Sequence, residues 1–475
     1  MFNNCFRIAL HVKPTNMNKL FFFLFIVFTL FSCENRRNPN LTPKKLKALI
    51  ADDKNASSEQ TTAKQLIMPE GYVPQTGVKY RQERDMSVPP VRIDIVKGID
   101  NVRNITLSRI AKDITYINIG KHRFDVKLQI TPRGLLVSSP DGVWLYAPDG
   151  QLIEEIYKNL CEYEPASIYG GVKLKTGDKF EGLEQVRYNE KDNRIWVKFR
   201  KDELKKQYSG FLGYIDMTLN VSNSELKQNP VIPLAEFDDG QMAFAENFVI
   251  HQPHHYHLQK NLLITNTFLG DTLCRFIFGY DSVRYRIFYK VMNVDNNIKY
   301  YYHGIYTFKP YHNDTLFRIT AANVLKPEYI LQTAQGKLSD DVKYEQLYIL
   351  RSLQEDDRYL YLTFTINNFE GSNVWREWRG LYDKNTRDFF TLPVSEGRLY
   401  ERGIENDIDG GLPFWPLEVG SQGEKYMYVR GENMKSLLTE TWFARSKTLQ
   451  PDKTTELKQF MLLVEDDDRV VIIVK

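Results

Sequence analysis

Beyond Val91 the hydrophobic positions fall into short runs, rich in β-branched and aromatic side chains and separated by Gly, Asp and Asn turns. This is the pattern of an all-β sandwich, barrel or propeller. The runs recur in sets. One type of run appears as GLLVSS (134–139), RIWVKF (194–199), NLLITNT (261–267), HGIYTF (303–308), YLYLTFT (359–365) and KYMYVRG (425–431). Each is followed by a second run: GVWLYAPDG, GFLGYIDMT, GDTLCRFIF, NDTLFRIT, RGLYDKNT and DRVVIIVK. A third run follows in all but the last set: QLIEEIY, PVIPLAEF, SVRYRIFY, EYILQT and FFTLP. A further run precedes each set: DVKLQI, EQVRYN, NFVIH, IKYYYH, EQLYILR and GLPFWPL. Such repetition predicts a six-bladed β-propeller of four-stranded blades. ITYINIG (114–120) supplies the strand missing from the last set, closing the ring and removing two sheet edges.

The opening of the chain has another character. Met17–Lys19 is a short cationic start, followed by the apolar run LFFFLFIVFTLF and then Ser32-Cys33. The run is too short to span a bilayer but suits a signal-peptide core. Cys33, directly after it, resembles the lipidated cysteine of a bacterial lipobox, with bulky Phe31 where a small residue is usual. The expected organisation is therefore a lipoprotein signal peptide at 1–32, a flexible tether at 33–90 and the propeller at 91–475. Localisation follows as the cell envelope, lipid-anchored to the outer membrane, with the membrane reached through Cys33.

Composition changes this picture little. The 475 residues are 42% hydrophobic and 26% charged, enough apolar material for a large core. Removing residues 1–32 deletes Arg7, Lys13 and Lys19 and no acid, so the remaining chain is electrically neutral. Neutrality without a dominant basic block argues against phosphate-driven nucleic-acid binding. Cys161 and Cys274 are read as two thiols, although one disulfide is open to them.

At the level of families, LSRIAKDITYINIG, NDTLFRI, NDIDGGLPFWP and EDDDRVVIIVK together resemble the six-bladed β-propeller lipoproteins of Gram-negative anaerobes, which are NHL-like. The resemblance covers roughly Ile93 to Lys475. It departs where NLCEYEPASIYGG stands in place of a Gly-Pro-Gly-Glu-like stretch. What it implies is fold and location rather than chemistry.

Candidate chemistry is sparse. No nucleophile elbow, His-Glu-x-x-His, phosphate loop or dinucleotide fingerprint is present, and no cofactor is expected. The His251, His254, His255 and His257 cluster could chelate zinc, but it reads as a plain solvated turn between first and second strands, like TPRG, NEKDN, QEDD and SQGE elsewhere. Asp407 and Asp409 before Gly410-Gly411 could contact an ion or ligand, or simply form a tight turn. Trp415 could stack a sugar or fill the core. Trp375, Arg376, Trp378 and Arg379 read as an exposed contact surface. In propeller register these residues, with Tyr311 and His312, converge on one face and form a ligand-site hypothesis, with the His251–His257 turn on the other. Two functions stay open: a monomeric, non-catalytic binding or scaffold module for a glycan, peptide or envelope protein, and a hydrolase or lyase using carboxylates or a metal in the central channel.

Overall fold

A computed structural model describes residues 77–122, 126–140, 142–158, 163–165, 172–174, 183–189, 193–201, 209–216, 232–238, 240–253, 261–278, 298–311, 313–334, 348–366, 377–393, 402–420 and 422–475. Three strands precede the first sheet: β1 (Glu83–Arg84), β2 (Val91–Asp94) and β3 (Ile114–Lys121). The first sheet is β4 (Lys127–Thr131), β5 (Gly134–Ser139), β6 (Gly142–Tyr146) and β7 (Leu152–Lys158). A hairpin of β8 (Tyr163–Pro165) and β9 (Val172–Leu174) comes next. The second sheet is β10 (Leu183–Asn189), β11 (Arg194–Lys201), β12 (Ser209–Asp216) and β13 (Ile232–Asp238). The third is β14 (Gly240–Phe244), β15 (Val249–Pro253), β16 (Asn261–Asn266) and β17 (Thr272–Phe278).

The fourth sheet contains β18 (Ile298–Tyr302), β19 (Ile305–Lys309), β20 (Thr315–Ala321) and β21 (Val324–Gln332). The fifth is β22 (Tyr348–Glu355), β23 (Tyr359–Ile366), β24 (Glu377–Asp383) and β25 (Asp388–Thr391). The closing sheet holds β26 (Glu418–Val419), β27 (Lys425–Arg430) and β28 (Asp468–Val474), with β3 as its fourth strand. Within each set the strands are antiparallel neighbours in chain order, and the fold is an all-β propeller.

Local chemistry explains the turns and faces. His303 and Gly304 join β18 to β19 with φ of 46° and 75°, the left-handed pair that a tight two-residue hairpin requires. Strand β21 alternates between buried and partly buried positions, as a strand with one core face must. Every residue of β28 is buried, which accounts for its unbroken apolar centre. It pairs with β27 on one side and β3 on the other, from Val474 opposite Ile114 to Asp468 opposite Lys121. Closure by the N-terminal strand is thus as expected from sequence.

Several expectations need correction. Six equal four-stranded blades are not found: five sheets are four-stranded, while the fourth is six-stranded. Its extra strands are β1 and β2, which add in parallel to the outer edge of β21. Folded structure therefore begins ahead of the expected boundary at residue 91. In the third sheet NFVIH lies second, in β15, and Gly240–Phe244 takes the innermost place. SVRYRIFY lies outside the described residues. GLPFWPL does not form a strand; Phe414 makes a single bridge to Ile404, and the innermost strand is the short β26.

Between β27 and β28 the chain leaves the sheet as three helices, α1 (Gly431–Leu437), α2 (Glu440–Arg445) and α3 (Pro451–Leu463). Pro451 at the start of α3 and the Thr439 side chain capping α2 are ordinary helix-start signals. Met434, Leu438 and Leu457 bury against the closing sheet and the 404–415 segment.

The QEDD turn is not a solvated loop. The Glu355 carboxylate is buried and accepts hydrogen bonds from Tyr300 (2.8 Å), Tyr329 (3.0 Å) and Arg318 (2.7 Å), with Lys384 Nζ at 2.7 Å. Asp356 accepts from Tyr361 (2.8 Å) and pairs with buried Lys425 at 2.9 Å. These two adjacent acids join the fourth, fifth and closing sheets. Removing the charge of Glu355 leaves two cations facing a neutral group, which typically costs about 3–5 kcal/mol when a buried pair is broken. Glu355→Gln is accordingly expected to lower the urea midpoint sharply with the m-value unchanged; an unaltered midpoint would contradict the assignment.

Candidate functional site in the axial channel

The innermost strands are β4, β10, β14, β18, β22 and β26, each at one edge of its sheet. Strands β18, β22 and β26 lie near one another, and β10 lies beside β4, so these edges gather around one axis. Polar side chains on them stitch neighbouring sheets together. Gln129 donates to the Tyr188 carbonyl (3.0 Å) and accepts from the Tyr188 amide (2.9 Å), linking the first and second sheets. Gln185 accepts from the Met242 amide (3.1 Å), and the Tyr301 hydroxyl accepts from the Phe244 amide (3.0 Å). These links join the second sheet to the third and the third to the fourth.

The same strands carry charge toward the axis. Arg187, on the second sheet, lies over the Tyr301 ring of the fourth with its guanidinium carbon 3.2 Å from the centroid, a contact between non-neighbouring sheets. Lys127, Lys299 and Glu418 stand on β4, β18 and β26. Glu418 is accessible to water yet surrounded by protein, the combination expected of a residue lining a narrow passage. Burial pushes its carboxyl up to about 7, against the opposing pull of Arg187, Lys127 and the Leu128 amide. Burial, together with the cations Lys127 and Lys198, brings the Lys299 amine down to about 7. Perturbed groups gathered in one concavity mark a candidate functional site.

Sequence reasoning did not single out these residues. The signal was present in the runs DVKLQI, EQVRYN and IKYYYH, where Lys127 and Gln129, Gln185 and Arg187, or Lys299 and Tyr301 alternate with apolar positions. On an innermost strand such alternation sets the polar groups together on one face beside the axis.

The residues predicted from sequence have other roles. Asp407 accepts from the Ser108 amide (2.8 Å) and hydroxyl (2.6 Å), fastening the N-terminal segment. Asp409 is fully buried and accepts from Asn406 (2.7 Å) and the Gly411 amide (2.9 Å). Burial raises its carboxyl above the usual carboxylate range, with the Gly411 amide, Tyr116 and Asn406 opposing the rise. Carbonyls of this turn accept from the Trp442 indole (2.9 Å) and the Thr454 hydroxyl (2.7 Å) of the helices. The turn is thus a structural joint, not an ion loop.

Trp415 is core: its indole donates to Thr363 (3.0 Å) and its ring meets Tyr361 edge-on at 5.8 Å. Arg379 is buried over Trp415, bonded to the Arg402 carbonyl, and burial lowers its guanidinium to about 10. Trp378 stacks on Phe364 at 6.2 Å and is partly buried, so it packs against the sheet rather than standing free. Tyr311 is partly buried. Cys33, His312, Trp375 and Arg376, with His254, His255, His257 and Cys161, lie outside the described residues. His251 is buried in β15, and Cys274 is a buried thiol whose pKa burial raises. Among the described residues no cluster of acid, His or Cys side chains could hold a metal, and no helix is long and apolar enough to cross a membrane.

Asp407→Ala is expected to cost about 1–3 kcal/mol, the scale of two net hydrogen bonds. The effect should appear as a lower melting temperature with unchanged affinity for any channel ligand. Reduced affinity at unchanged stability would return the site to this turn.

No curated protein matches the chain. Two solved structures are similar to it at a distance. The soluble aldose sugar dehydrogenase of Escherichia coli in its apo form is 10% identical with a TM-score of 0.33, covering 66% of this chain and 96% of its own. A glucose dehydrogenase is 9% identical with a TM-score of 0.34, covering 77% and 99%. Neither likeness is close enough to bear on chemistry. A family model described as a domain of unknown function (DUF4933) matches residues 75–440, well over half of the sequence, from just before the first described residue into the helices, and the chain belongs to that family.

Proposed function

We propose that this protein is a lipid-anchored, cell-envelope propeller that binds its ligand in the axial channel without transforming it. Placement in the envelope is supported by the apolar run ending at Cys33 and by the polar stretch after it. The ligand's place is supported by one observation above others: charged and polar groups from innermost strands of separate sheets share one space, as the Arg187–Tyr301 contact displays. Of the rim residues expected to carry binding, the described Asp407, Asp409, Trp378, Arg379 and Trp415 are engaged in packing or hydrogen bonds within the fold, which favours the channel.

A second reading, a hydrolase or lyase, draws on one specific feature. A carboxyl near 7 at Glu418 is in the range suited to general acid or base work. Product formation from a bound saccharide, abolished by Glu418→Gln with binding retained, would favour it.

Two measurements test the main reading. Cys33→Ser should leave the protein in the soluble fraction or as uncleaved precursor, and unchanged lipid labelling would overturn the anchor. Ser352 is exposed although it sits on innermost strand β22, so Ser352→Trp places a bulky ring where the channel needs space. Hits from a glycan and peptide binding screen should be lost in Ser352→Trp at unchanged melting temperature. Retention of every hit would move the site to the rim.

A further inference from the structure

We infer that the axial channel binds a small anionic ligand, one presenting carboxylate, phosphate or sulfate oxygens to Lys127, Arg187 and Lys299. This rests on the channel reading above and names its ligand class. The three cations come from innermost strands of the first, second and fourth sheets. Lys198 stands behind them on β11, and Arg351 lies on innermost strand β22. Lys127 is close enough to influence both Lys299 and Glu418, and Arg187 also influences Glu418, so these groups share one electrostatic neighbourhood. A low-dielectric wall around like charges concentrates counter-ions of the opposite sign.

Size follows from the same geometry. The Arg187–Tyr301 contact joins non-neighbouring sheets, so the space beside it suits a small ligand rather than an extended chain. The Arg187 guanidinium offers a planar fork of N–H donors, the geometry that suits carboxylate, phosphate and sulfate oxygens. A free small acid and the terminal acidic residue of a saccharide present the same chemistry to this site.

The surroundings also make binding depend on pH. Glu418 faces Lys127 and the Leu128 amide on β4, Arg187 on β10, and Tyr426 of β27, which Glu424 also influences. Lys299 faces Lys127 and Lys198. Both Glu418 and Lys299 titrate at about 7. Below that pH the amine is charged and the carboxyl neutral; above it the amine is neutral and the carboxyl charged. The two changes have the same sign, so acidification makes the channel more positive by up to two charges. Anion affinity should therefore rise as pH falls, with uptake of up to two protons per bound anion.

Isothermal titration calorimetry on the folded protein would test this with sulfate and glucuronate, whose charges stay constant between about pH 6 and 8. Inorganic phosphate separates free-ion from sugar-acid recognition, and glucose serves as the neutral control. Both constant-charge anions are expected to bind at the acidic end and to weaken at least about tenfold at the alkaline end. Lys127→Met and Arg187→Met should each weaken binding about tenfold at unchanged melting temperature, while Glu418→Gln should strengthen it at the alkaline end and flatten the pH dependence. Absence of anion binding at the acidic end, or undiminished binding in both cation variants, would overturn the ligand class. Binding of an acidic peptide but of neither small anion would do the same. If Ser352→Trp abolishes binding of another ligand while no anion binds, only the anion assignment falls. If Ser352→Trp retains that ligand, the channel reading falls with it.

Discussion

The outer edge of a sheet is a row of unpaired amides and carbonyls, and in this protein one stretch of chain covers that edge on several sheets in succession. The Tyr80 amide donates to the Leu273 carbonyl on the rim of the third sheet, 2.8 Å away. Strands β1 and β2 then line β21 in parallel, from Glu83 opposite Val324 to Asp94 opposite Gln332. Next the chain crosses to the fifth sheet, where Thr391 gives its amide to Asn101 (3.0 Å) and its hydroxyl to the Ile99 carbonyl (2.8 Å). Gly98 is required at this crossing, because a Cβ there would lie 2.3 Å from the Phe389 ring. The same stretch passes Glu405 and Asp407 and ends as β3, the outer strand of the closing sheet. Exposed edges invite pairing with other chains, and here a single belt covers the third, fourth and fifth before supplying the last.

Inside the belt, each interface between sheets has its own polar tie, that between the closing and first sheets being the Tyr146 hydroxyl donating to the Ile119 carbonyl (2.9 Å). Gln129, Gln185 and Tyr301 hold the first three interfaces through backbone amides, at sequence separations of 59, 57 and 57 residues. Tyr300 reaches Glu355 across 55 residues, and Lys425 reaches Asp356. The near-constant separation of the first four ties, 55 to 59 residues, is the repeat itself. Apolar burial would tolerate sliding of one sheet over another, whereas a buried amide or carboxylate that loses its partner bears the full desolvation cost. These ties therefore fix the register between sheets.

Much of the fold was legible because strand period and turn chemistry are local. The runs around 134–139, 359–365 and 425–431 are strands, and pairing of 114–120 with the C-terminal strand follows from counting. What escaped reading was non-local. Residues 83–109 have no strand period of their own, since their structure is imposed by the edges they cover. The helices at 431–463 interrupt a set whose strands were matched across the gap. At the candidate site, Asp407, Asp409 and Trp415 stood out as conspicuous types in a Gly-rich segment, and conspicuousness reported a crowded joint. Gln129, Arg187 and Lys299 passed unnoticed because a polar residue in an amphipathic strand looks like an ordinary solvent face. Only the order of strands in the sheet shows that these strands border the axis.

The contrast between two charge clusters separates structure from function. At Glu355 each cation has a carboxylate to face: Arg318 and Lys384 lie at 2.7 Å, and two tyrosine hydroxyls complete the acceptor's shell. Such a set is closed, since no further ligand is required and none could enter a buried shell. In the channel the charges lie around Glu418, which interacts with Lys127 and Arg187. Lys299 is surrounded by cations and is held near its own titration point, and Glu418 is held there by burial despite its cationic neighbours. Groups whose protonation is balanced in this way respond to the next charge that arrives, a property suited to a binding channel.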